Sequence, residues 1–408
     1  MREHVRLGTE VVDGFRGIAI LLVLSYHTWL FSWYTPVLSF FGYAVPVDVL
    51  PRTGYLGVDL FFLISGFVLF FPHAERALAS GVTSSVREYA RRRAIKIVPS
   101  YLVALIATIP AVLAVAPAHT LGQLAGTFAQ HVFFVHNFFD DGFGPENSVF
   151  WSLAVEAQFY LVFPILAVLF RKQPLAVATA MIASAIAYRY AVAQCCLEVQ
   201  TISRQIPAYA DVFAVGMLAS YAVVWGRTRL APARHVRLIA TLAAVAFACI
   251  AFAFLGSANA IQYDPGGRER WDLYNRTWIA LAAGGLVVAS CFAQTWWRAI
   301  VANRAFLFLS IVSYNLYLWH TLVMIWMWKH GVPHAATTNP HDDDRWKAAY
   351  IALGWATSIG IATTIAYFFE RPLLGTVKRQ IFAFDWSDFA SRYGIKRAPA
   401  IAPRETRT

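Results

Sequence analysis

The chain has 408 residues, of which 58% are hydrophobic and only 14% are charged. Soluble proteins usually carry about 25% charged residues, so this composition excludes a soluble enzyme and indicates an integral membrane protein. The net charge of +11 would suggest nucleic-acid binding in a soluble protein, but in a membrane protein the basic residues first reflect helix orientation.

Ten apolar stretches are long enough to cross a hydrocarbon core of about 30 Å as helices. The first is expected to remain in the mature protein, because no small-residue cleavage site follows it. The stretch at 120–138 is too polar to cross and is predicted to be an interfacial or re-entrant element. We therefore predict an all-α fold, a polytopic membrane helix bundle of about ten transmembrane helices. The predicted spans are 14–33, 55–72, 97–117, 149–170, 173–193, 207–226, 236–256, 277–293, 304–328 and 348–369.

The basic residues are distributed unevenly between the two sides of the predicted bundle. Of the 34 Lys and Arg residues, 25 fall on the side that carries both termini. The positive-inside rule then places both termini in the cytoplasm. This asymmetry explains much of the net charge without nucleic acid as a partner. We expect a membrane domain over residues 1–372 and a short basic cytoplasmic tail over 373–408.

Two ionisable residues lie within the first predicted span, in the stretch "FRGIAILLVLSYHTWLF". Arg16 and His27 are eleven residues apart, which in an α-helix places them on one face and about 16 Å apart along the axis. Ionisable side chains are costly in hydrocarbon and often mark a functional site. The alternatives are a snorkelling anchor for Arg16 and a hydrogen-bonded core residue for His27.

Three further ionisable residues are predicted at the depth of His27, in the outer half of the membrane. Asp59 lies about one turn into the second span, Glu156 about 10 Å into the fourth, and His320 past the middle of the ninth. Four such groups at one depth are hard to explain as independent core residues. A neutral histidine beside a carboxylate can act as a general base toward an acceptor hydroxyl.

A basic cluster precedes the third span, in the stretch "REYARRRAIKIVPSY". Arg92, Arg93 and Lys96 occupy neighbouring faces of the predicted helix. Part of this positive charge is explained by the orientation of the helices in the membrane. The density of the charge, together with Arg16, also favours binding of a phosphate or diphosphate group. A phosphate-bearing donor bound there could extend a reactive end toward His27.

The cysteines have no spacing typical of a metal site, and two of them are adjacent, which disfavours a relaxed disulfide. We interpret all four as packing residues and predict no metal. They are Cys195, Cys196, Cys249 and Cys291.

Six motifs, taken in chain order, are similar to those of the acyltransferase 3 family of integral-membrane O-acyltransferases. They extend over residues 13–372, nearly the whole chain. The motifs are "DGFRGIAILLVLSYH", "GYLGVDLFFLISGF", "RRAIKIVPSY", "FWSLAVEAQFYLVFP", "SYNLYLWH" and "FFERP".

The resemblance implies transfer of an acyl group, often acetyl, from cytoplasmic acyl-CoA to a hydroxyl of an extracytoplasmic or membrane-associated sugar. The expected partners are therefore acyl-CoA, a sugar-bearing acceptor and the lipid bilayer, and the expected location is the bacterial cytoplasmic membrane. Many relatives carry an appended hydrolase-like domain, which this sequence is expected to lack.

The resemblance also implies roles for individual residues. Arg16 and His27 match the family's Arg-x10-His pair, with His27 as the catalytic residue. Asp59 and Glu156 match the acidic residues of two other motifs and are interpreted as catalytic. Tyr26 is interpreted as a supporting residue.

Donor binding is implied for Arg16 and for the basic cluster. Arg92, Arg93 and Lys96 match the family's Arg-Arg-x-x-Arg motif, which is associated with the phosphates of the donor. Lys96 keeps the charge of the last arginine but not its planar fork of donors. His320 is interpreted as a supporting residue on the acceptor side.

Two other functions are compatible with these residues. A proton-coupled transporter or flippase would use the intramembrane polar cluster as a proton relay. A haem-binding electron carrier would use His27 and His320 as axial ligands. Within an acyltransferase, direct attack by the acceptor and a covalent acyl-histidine are both open. The acceptor, the acyl length and the oligomeric state are not predicted.

Overall fold

The computed structural model describes residues 2–35, 37–40, 43–46, 48–79, 85–115, 121–139, 149–195, 203–230 and 233–373. Its helices are α1 (Arg2–Ser32), α2 (Val49–Thr53), α3 (Gly57–Ala79), α4 (Val86–Val115), α5 (Leu121–Val132), α6 (Phe150–Lys172), α7 (Pro174–Cys195), α8 (Ala210–Arg229), α9 (Arg234–Ile261), α10 (Gly267–Phe292), α11 (Thr295–Val301), α12 (Arg304–Lys329) and α13 (Asp344–Thr364).

Shorter elements connect these helices. An antiparallel hairpin of β1 (Val37–Phe40) and β2 (Tyr43–Pro46) follows α1. Turns of 3₁₀-helix cover Gly54–Leu56, His136–Phe138, Ile206–Tyr209 and Pro340–Asp342, and a π-helical turn, Ile365–Glu370, extends α13.

The prediction of a helical membrane bundle is confirmed. Among the described residues, ten helical segments are long and apolar enough to cross a membrane, and each overlaps one predicted span. Which side the termini occupy stays a prediction, and the predicted basic tail lies outside the described residues from 374 onward. The segments are Glu10–Ser32, Val49–Leu78, Val86–Pro110, Phe150–Lys172, Pro174–Gln194, Ile206–Arg229, Arg234–Ile261, Gly267–Phe292, Arg304–Lys329 and Asp344–Leu373.

The bundle has an enclosed centre and an apolar periphery. The most extensive helix contacts are those of α3 with α8 and of α1 with α12. The peripheral helix α9 instead exposes large apolar side chains such as Leu242 and Phe252. Lipid tails are as apolar as leucine, so these side chains need no protein cover. The predicted site residues lie on α1, α3, α4, α6 and α12.

The close approach of α1 to α12 depends on Gly17. A Cβ atom at this position would lie 2.0 Å from the carbonyl oxygen of Phe306, which is a backbone atom and cannot rotate away. Small residues let transmembrane helices approach closely in this way. Because α1 carries His27 and α12 carries His320, this contact also sets the distance between the two histidines.

We expect Gly17→Ala to destabilise the protein by about 1–3 kcal/mol, because the two helices must separate to admit the methyl group. The thermal unfolding midpoint of purified protein in detergent would measure the loss. The matched control is Gly360→Ala, where a Cβ would have no heavy atom within 4 Å. Equal midpoints for the two variants would contradict the packing described.

A buried ion pair that the sequence did not reveal joins α7, α8 and α10. The guanidinium of Arg189 donates to both carboxylate oxygens of Asp211, at 3.1 and 2.8 Å, and to the hydroxyl of Thr277 at 2.7 Å. The same hydroxyl donates to Asp211 at 2.6 Å. Charged groups at membrane depth pair in this way because hydrocarbon cannot solvate them.

The polar stretch at 120–138 forms the short helix α5 and a 3₁₀ turn. Twelve residues of helix rise only about 18 Å, too little to cross the hydrocarbon core. Two buried histidines stack here, with the rings of His131 and His136 parallel and 3.9 Å apart. Burial lowers the pKa of His131 to about 3 and that of His136 to about 4.

These lowered pKa values predict that acid loosens the α5 segment. Below the ordinary histidine pKa of 6.5 the unfolded segment binds protons while the folded one does not, so its free energy of unfolding falls as the pH drops. Hydrogen exchange over residues 121–139, corrected for the intrinsic effect of pH, is expected to accelerate between about pH 7 and about pH 5. Residues 210–229, which contain no histidine, serve as the reference. Equal protection at both pH values would contradict this.

Candidate functional site

A cavity of about 150 Å³ lies between α1, α3, α4, α6 and α12. We call it the basic cavity, since three cationic side chains face a single carboxylate in its wall. Its polar lining residues are Arg16, Ser65, Arg93, Lys96, Ser152, Glu156, Tyr160, Ser310, Ser313, Tyr314 and Tyr317.

Three of the four residues predicted to bind the donor line the basic cavity. The Arg16 guanidinium lies 3.7 Å from the Asp13 carboxylate, one turn away. The Arg93 guanidinium lies over the ring of Tyr160, 5.6 Å from its centre. Arg92 is not among the lining residues and instead pairs with Glu88 on the same helix at 3.2 Å.

Lys96 also lines the cavity, but its ammonium group already has a partner. It forms an ion pair with Glu370 at the end of the π-helical turn. The other oxygen of Glu370 accepts a hydrogen bond of 2.7 Å from Asn315 on α12. Lys96 therefore ties α4 to the last span, and of the three cationic lining residues Arg93 alone has no ion pair among the described residues.

Glu156 is the carboxylate in the wall of the basic cavity. It accepts a hydrogen bond of 2.6 Å from the hydroxyl of Ser65 on α3 and a second from Tyr160, one turn further along α6. The two hydroxyl donors supply hydrogen bonds that the carboxylate could not obtain from hydrocarbon. Glu156 is thus available to a ligand in the cavity rather than bound to a histidine.

His27 and His320 contact each other directly. The Nδ1 atom of His27 lies 3.2 Å from Nε2 of His320, and the ring centres are 4.8 Å apart. His320 is fully buried. Because the two residues are on α1 and α12, the contact depends on the close approach of these helices at Gly17.

The hydrogen-bond partners of this pair assign the tautomers of the neutral rings. Nδ1 of His320 lies 2.9 Å from the Leu316 carbonyl, which only accepts, so this nitrogen carries the proton and Nε2 accepts. Nδ1 of His27 faces the Val23 carbonyl at 2.9 Å as well as His320 Nε2, so it donates. Nε2 of His27 is therefore the unprotonated nitrogen, which a general base requires.

Tyr317 connects the histidine pair to the basic cavity. Its ring lines the cavity and lies 5.9 Å from the ring of His320, one turn further along α12. Its hydroxyl lies 2.5 Å from the hydroxyl of Ser152. Neither histidine is among the lining residues, so the Tyr317 ring separates the cavity from the two imidazoles in this conformation.

Asp59 is buried and pairs with an arginine rather than with a histidine. A carboxylate oxygen lies 3.5 Å from Nε of Arg276 on α10, and Arg276 also donates to Asp272 at 2.8 Å. Within the described residues, no hydrogen bond or ion pair joins Asp59 or Glu156 to His27. The four groups expected at one depth thus fall into three separate sets.

Tyr26 lies beside His27, with the two ring centres 5.2 Å apart. Its hydroxyl accepts a long hydrogen bond of 3.4 Å from Arg268 in the first turn of α10. Neither Tyr26 nor the histidine pair is among the residues that line the basic cavity.

Several residues that complete the site were missed by sequence reasoning. Tyr160 stands four residues after Glu156, and Tyr317 three before His320, so helical spacing could have placed each beside its neighbour. No sequence spacing could have predicted the contact of Ser65 with Glu156 or that of Arg276 with Asp59. In each pair the two residues are on helices that are far apart in the sequence.

The sequence pattern of the acyltransferase 3 family, described as an acyltransferase domain, matches residues 10–371. The chain belongs to the acyltransferase 3 family. All of the predicted site residues of this acyltransferase 3 protein fall inside the matched region. No solved structure matches the chain.

Two relatives match most of this acyltransferase 3 chain. A Bacillus subtilis protein provisionally named peptidoglycan O-acetyltransferase YrhL is 23% identical over 332 residues, which are 77% of this chain and 48% of that protein. The Listeria monocytogenes peptidoglycan O-acetyltransferase OatA is 24% identical over 330 residues, which are 76% of this chain and 48% of that protein. The chain therefore spans about half the length of the curated relatives it matches.

Proposed function

We propose that this integral membrane acyltransferase moves an acyl group, most simply acetyl, from acyl-CoA to a hydroxyl of a sugar-bearing acceptor. The observation that carries the proposal is the His27–His320 pair, with an unprotonated nitrogen, one aromatic ring away from a cavity lined by cations. The names of the two relatives support acetyl as the acyl group and a sugar polymer as the acceptor.

The proposed donor site is the basic cavity. Its volume of about 150 Å³ is below the roughly 300–1,000 Å³ of pockets that enclose a drug-sized ligand. Only the narrow acyl-bearing arm of the donor therefore enters it, and the phosphates lie against Arg16 and Arg93. Arginine suits this role because its planar fork of donors matches phosphate oxygens. In the predicted orientation this end of the bundle faces the cytoplasm of a bacterium, where acyl-CoA is made.

The proposed chemistry is general-base catalysis by His27. Nε2 takes the proton of the acceptor hydroxyl, the hydroxyl oxygen attacks the thioester carbonyl carbon, and the carbon–sulfur bond breaks. The proton then passes from His27 to the departing thiolate, so the products are an oxygen ester and free coenzyme A. His320 keeps the Nδ1 proton of His27 in place and orients the ring. The Tyr317 side chain must turn aside for the thioester to reach His27.

Incubation of the purified protein in lipid nanodiscs with radiolabelled acetyl-CoA tests this proposal. Peptidoglycan fragments and other envelope sugars serve as acceptors, and the readout is label in an alkali-labile sugar ester. We expect label in at least one acceptor and none with heat-inactivated protein. Sugar or proton flux across proteoliposomes without any ester would instead favour a transporter.

A further inference from the structure

An exposed arginine and two tyrosines meet at the end of the bundle away from the basic cavity. The guanidinium of Arg268 stacks on the ring of Tyr55, 3.9 Å from its centre. The rings of Tyr55 and Tyr26 are 5.5 Å apart, and that of Tyr26 is 5.2 Å from His27. We call these three residues the aromatic-arginine cluster. It lies directly beside the proposed base, on the side where α1 ends and α10 begins.

The backbone holds the cluster together. A Cβ atom on Gly54 would lie 2.1 Å from the carbonyl oxygen of Leu22, so only glycine lets the turn before α3 approach α1 this closely. The approach places Tyr55 against Tyr26. The positions of the two rings therefore follow from backbone packing rather than from mobile side chains.

Unlike Arg52 and Arg276, Arg268 forms no close ion pair among the described residues, and Asp272, one turn further along α10, attracts it only over a longer distance. Arg52 pairs with Asp48 at 2.9 Å, and Arg276 pairs with Asp272 at 2.8 Å. In the described part of the chain, no carboxylate lies within 4.0 Å of the Arg268 guanidinium. Stacking on Tyr55 occupies one face of the guanidinium, and one N–H group donates the long hydrogen bond to Tyr26. The remaining N–H groups are left for a ligand.

Further aromatic rings continue the surface away from His27. The ring centres of Trp29 and Tyr26 are 6.2 Å apart. The Arg52 guanidinium lies 5.7 Å from the ring centre of Trp29 and 5.6 Å from that of Tyr263. Tyr263 is exposed. Aromatic rings with polar tips combine apolar contact with hydrogen bonding, which matches the two apolar faces and the hydroxyl edge of a sugar ring.

We propose that the aromatic-arginine cluster is the acceptor subsite and that it selects a sugar carrying an acidic group, a carboxylate or a phosphate. The sugar ring packs against Tyr55 and Tyr26, its acidic group binds Arg268, and a hydroxyl of the same ring reaches His27. An ionised ligand group strengthens hydrogen bonds from a guanidinium. The role of this subsite as an acceptor site rests on the proposed function. Its preference for acidic sugars can nevertheless be measured by binding alone, without acyl transfer.

The test is a binding titration with three matched sugars, performed on His27→Ala protein in nanodiscs so that no turnover occurs. Methyl β-glucuronide and methyl β-glucoside differ by one carboxylate, and glucose 6-phosphate supplies the phosphate. We expect at least one acidic sugar to bind about tenfold more tightly than the glucoside. Tight binding of only one acidic sugar identifies its group as the one recognised.

Two substitutions assign this preference to the cluster. Arg268→Gln is expected to remove it, whereas the control Arg270→Gln, which removes an equal charge from an exposed neighbour, is expected to keep it. Equal binding of all three sugars, or a preference that survives Arg268→Gln, would overturn the proposed subsite. If the preference is found but no acceptor is ever acylated by the unsubstituted protein, the subsite stands and the acyltransferase proposal fails.

Discussion

Replacing His27 with alanine is expected to reduce acyl transfer by about 10²–10⁴-fold, the usual contribution of a general base. The expectation rests on the tautomer of this residue, because its Nε2 atom is the unprotonated nitrogen of the pair. The rate of label transfer from acetyl-CoA to the sugar ester measures the effect. Donor affinity is expected to change little, since His27 does not line the basic cavity.

The matched control is His330→Ala, which removes an exposed imidazole near the end of the same helix that carries His320. It is expected to retain the wild-type rate. Unfolding midpoints for both variants would separate lost chemistry from lost fold. A rate close to wild type in folded His27→Ala protein would refute its role as the base.

Neutralising Arg93 is expected to raise the KM for acyl-CoA by about tenfold or more, because a charge-assisted hydrogen bond to phosphate is lost from an apolar environment. The cation lines the basic cavity and is held over the ring of Tyr160. The turnover rate at saturating donor should fall much less, because Arg93 contacts Tyr160 and, in the described part of the chain, has no hydrogen bond or ring contact with either histidine. Initial rates at varied acetyl-CoA concentration give both constants.

Two neighbours in α4 calibrate this effect. Arg91→Gln removes the same charge from an exposed position, and we expect an unchanged KM. Arg92→Gln is expected to give a smaller increase than Arg93→Gln, since Arg92 pairs with Glu88 outside the cavity. Equal increases for all three variants would mean that general positive charge, rather than the cavity wall, attracts the donor.

The ten spans could be predicted because each depends on one continuous property, an apolar run of sufficient length. Helix geometry likewise related Arg16 to His27, since both are on α1. Both features depend only on residues that are close together in the sequence, so they could be predicted without the structure.

The partners of the polar residues could not be predicted, because they depend on how helices pack. Depth alone grouped Asp59 with His27, but rotation about the axis of α3 directs Asp59 to Arg276 instead. Lys96 meets Glu370 across 274 residues of sequence. The aromatic-arginine cluster forms only because α1, the 3₁₀ turn Gly54–Leu56 and α10 meet in space. The order of residues in the sequence does not predict that meeting.

The ring of Tyr317, packed between the basic cavity and the histidine pair, has a further consequence. A bilayer enzyme that took substrates from both faces through one open passage would let protons and ions leak down their gradients. The ring of Tyr317 lines the cavity and packs near His320, and its hydroxyl contacts that of Ser152, so its side chain fills space where such a passage would run. A side chain at this place would let an enzyme of this kind keep its reaction centre inside the bilayer without a permanently open pore.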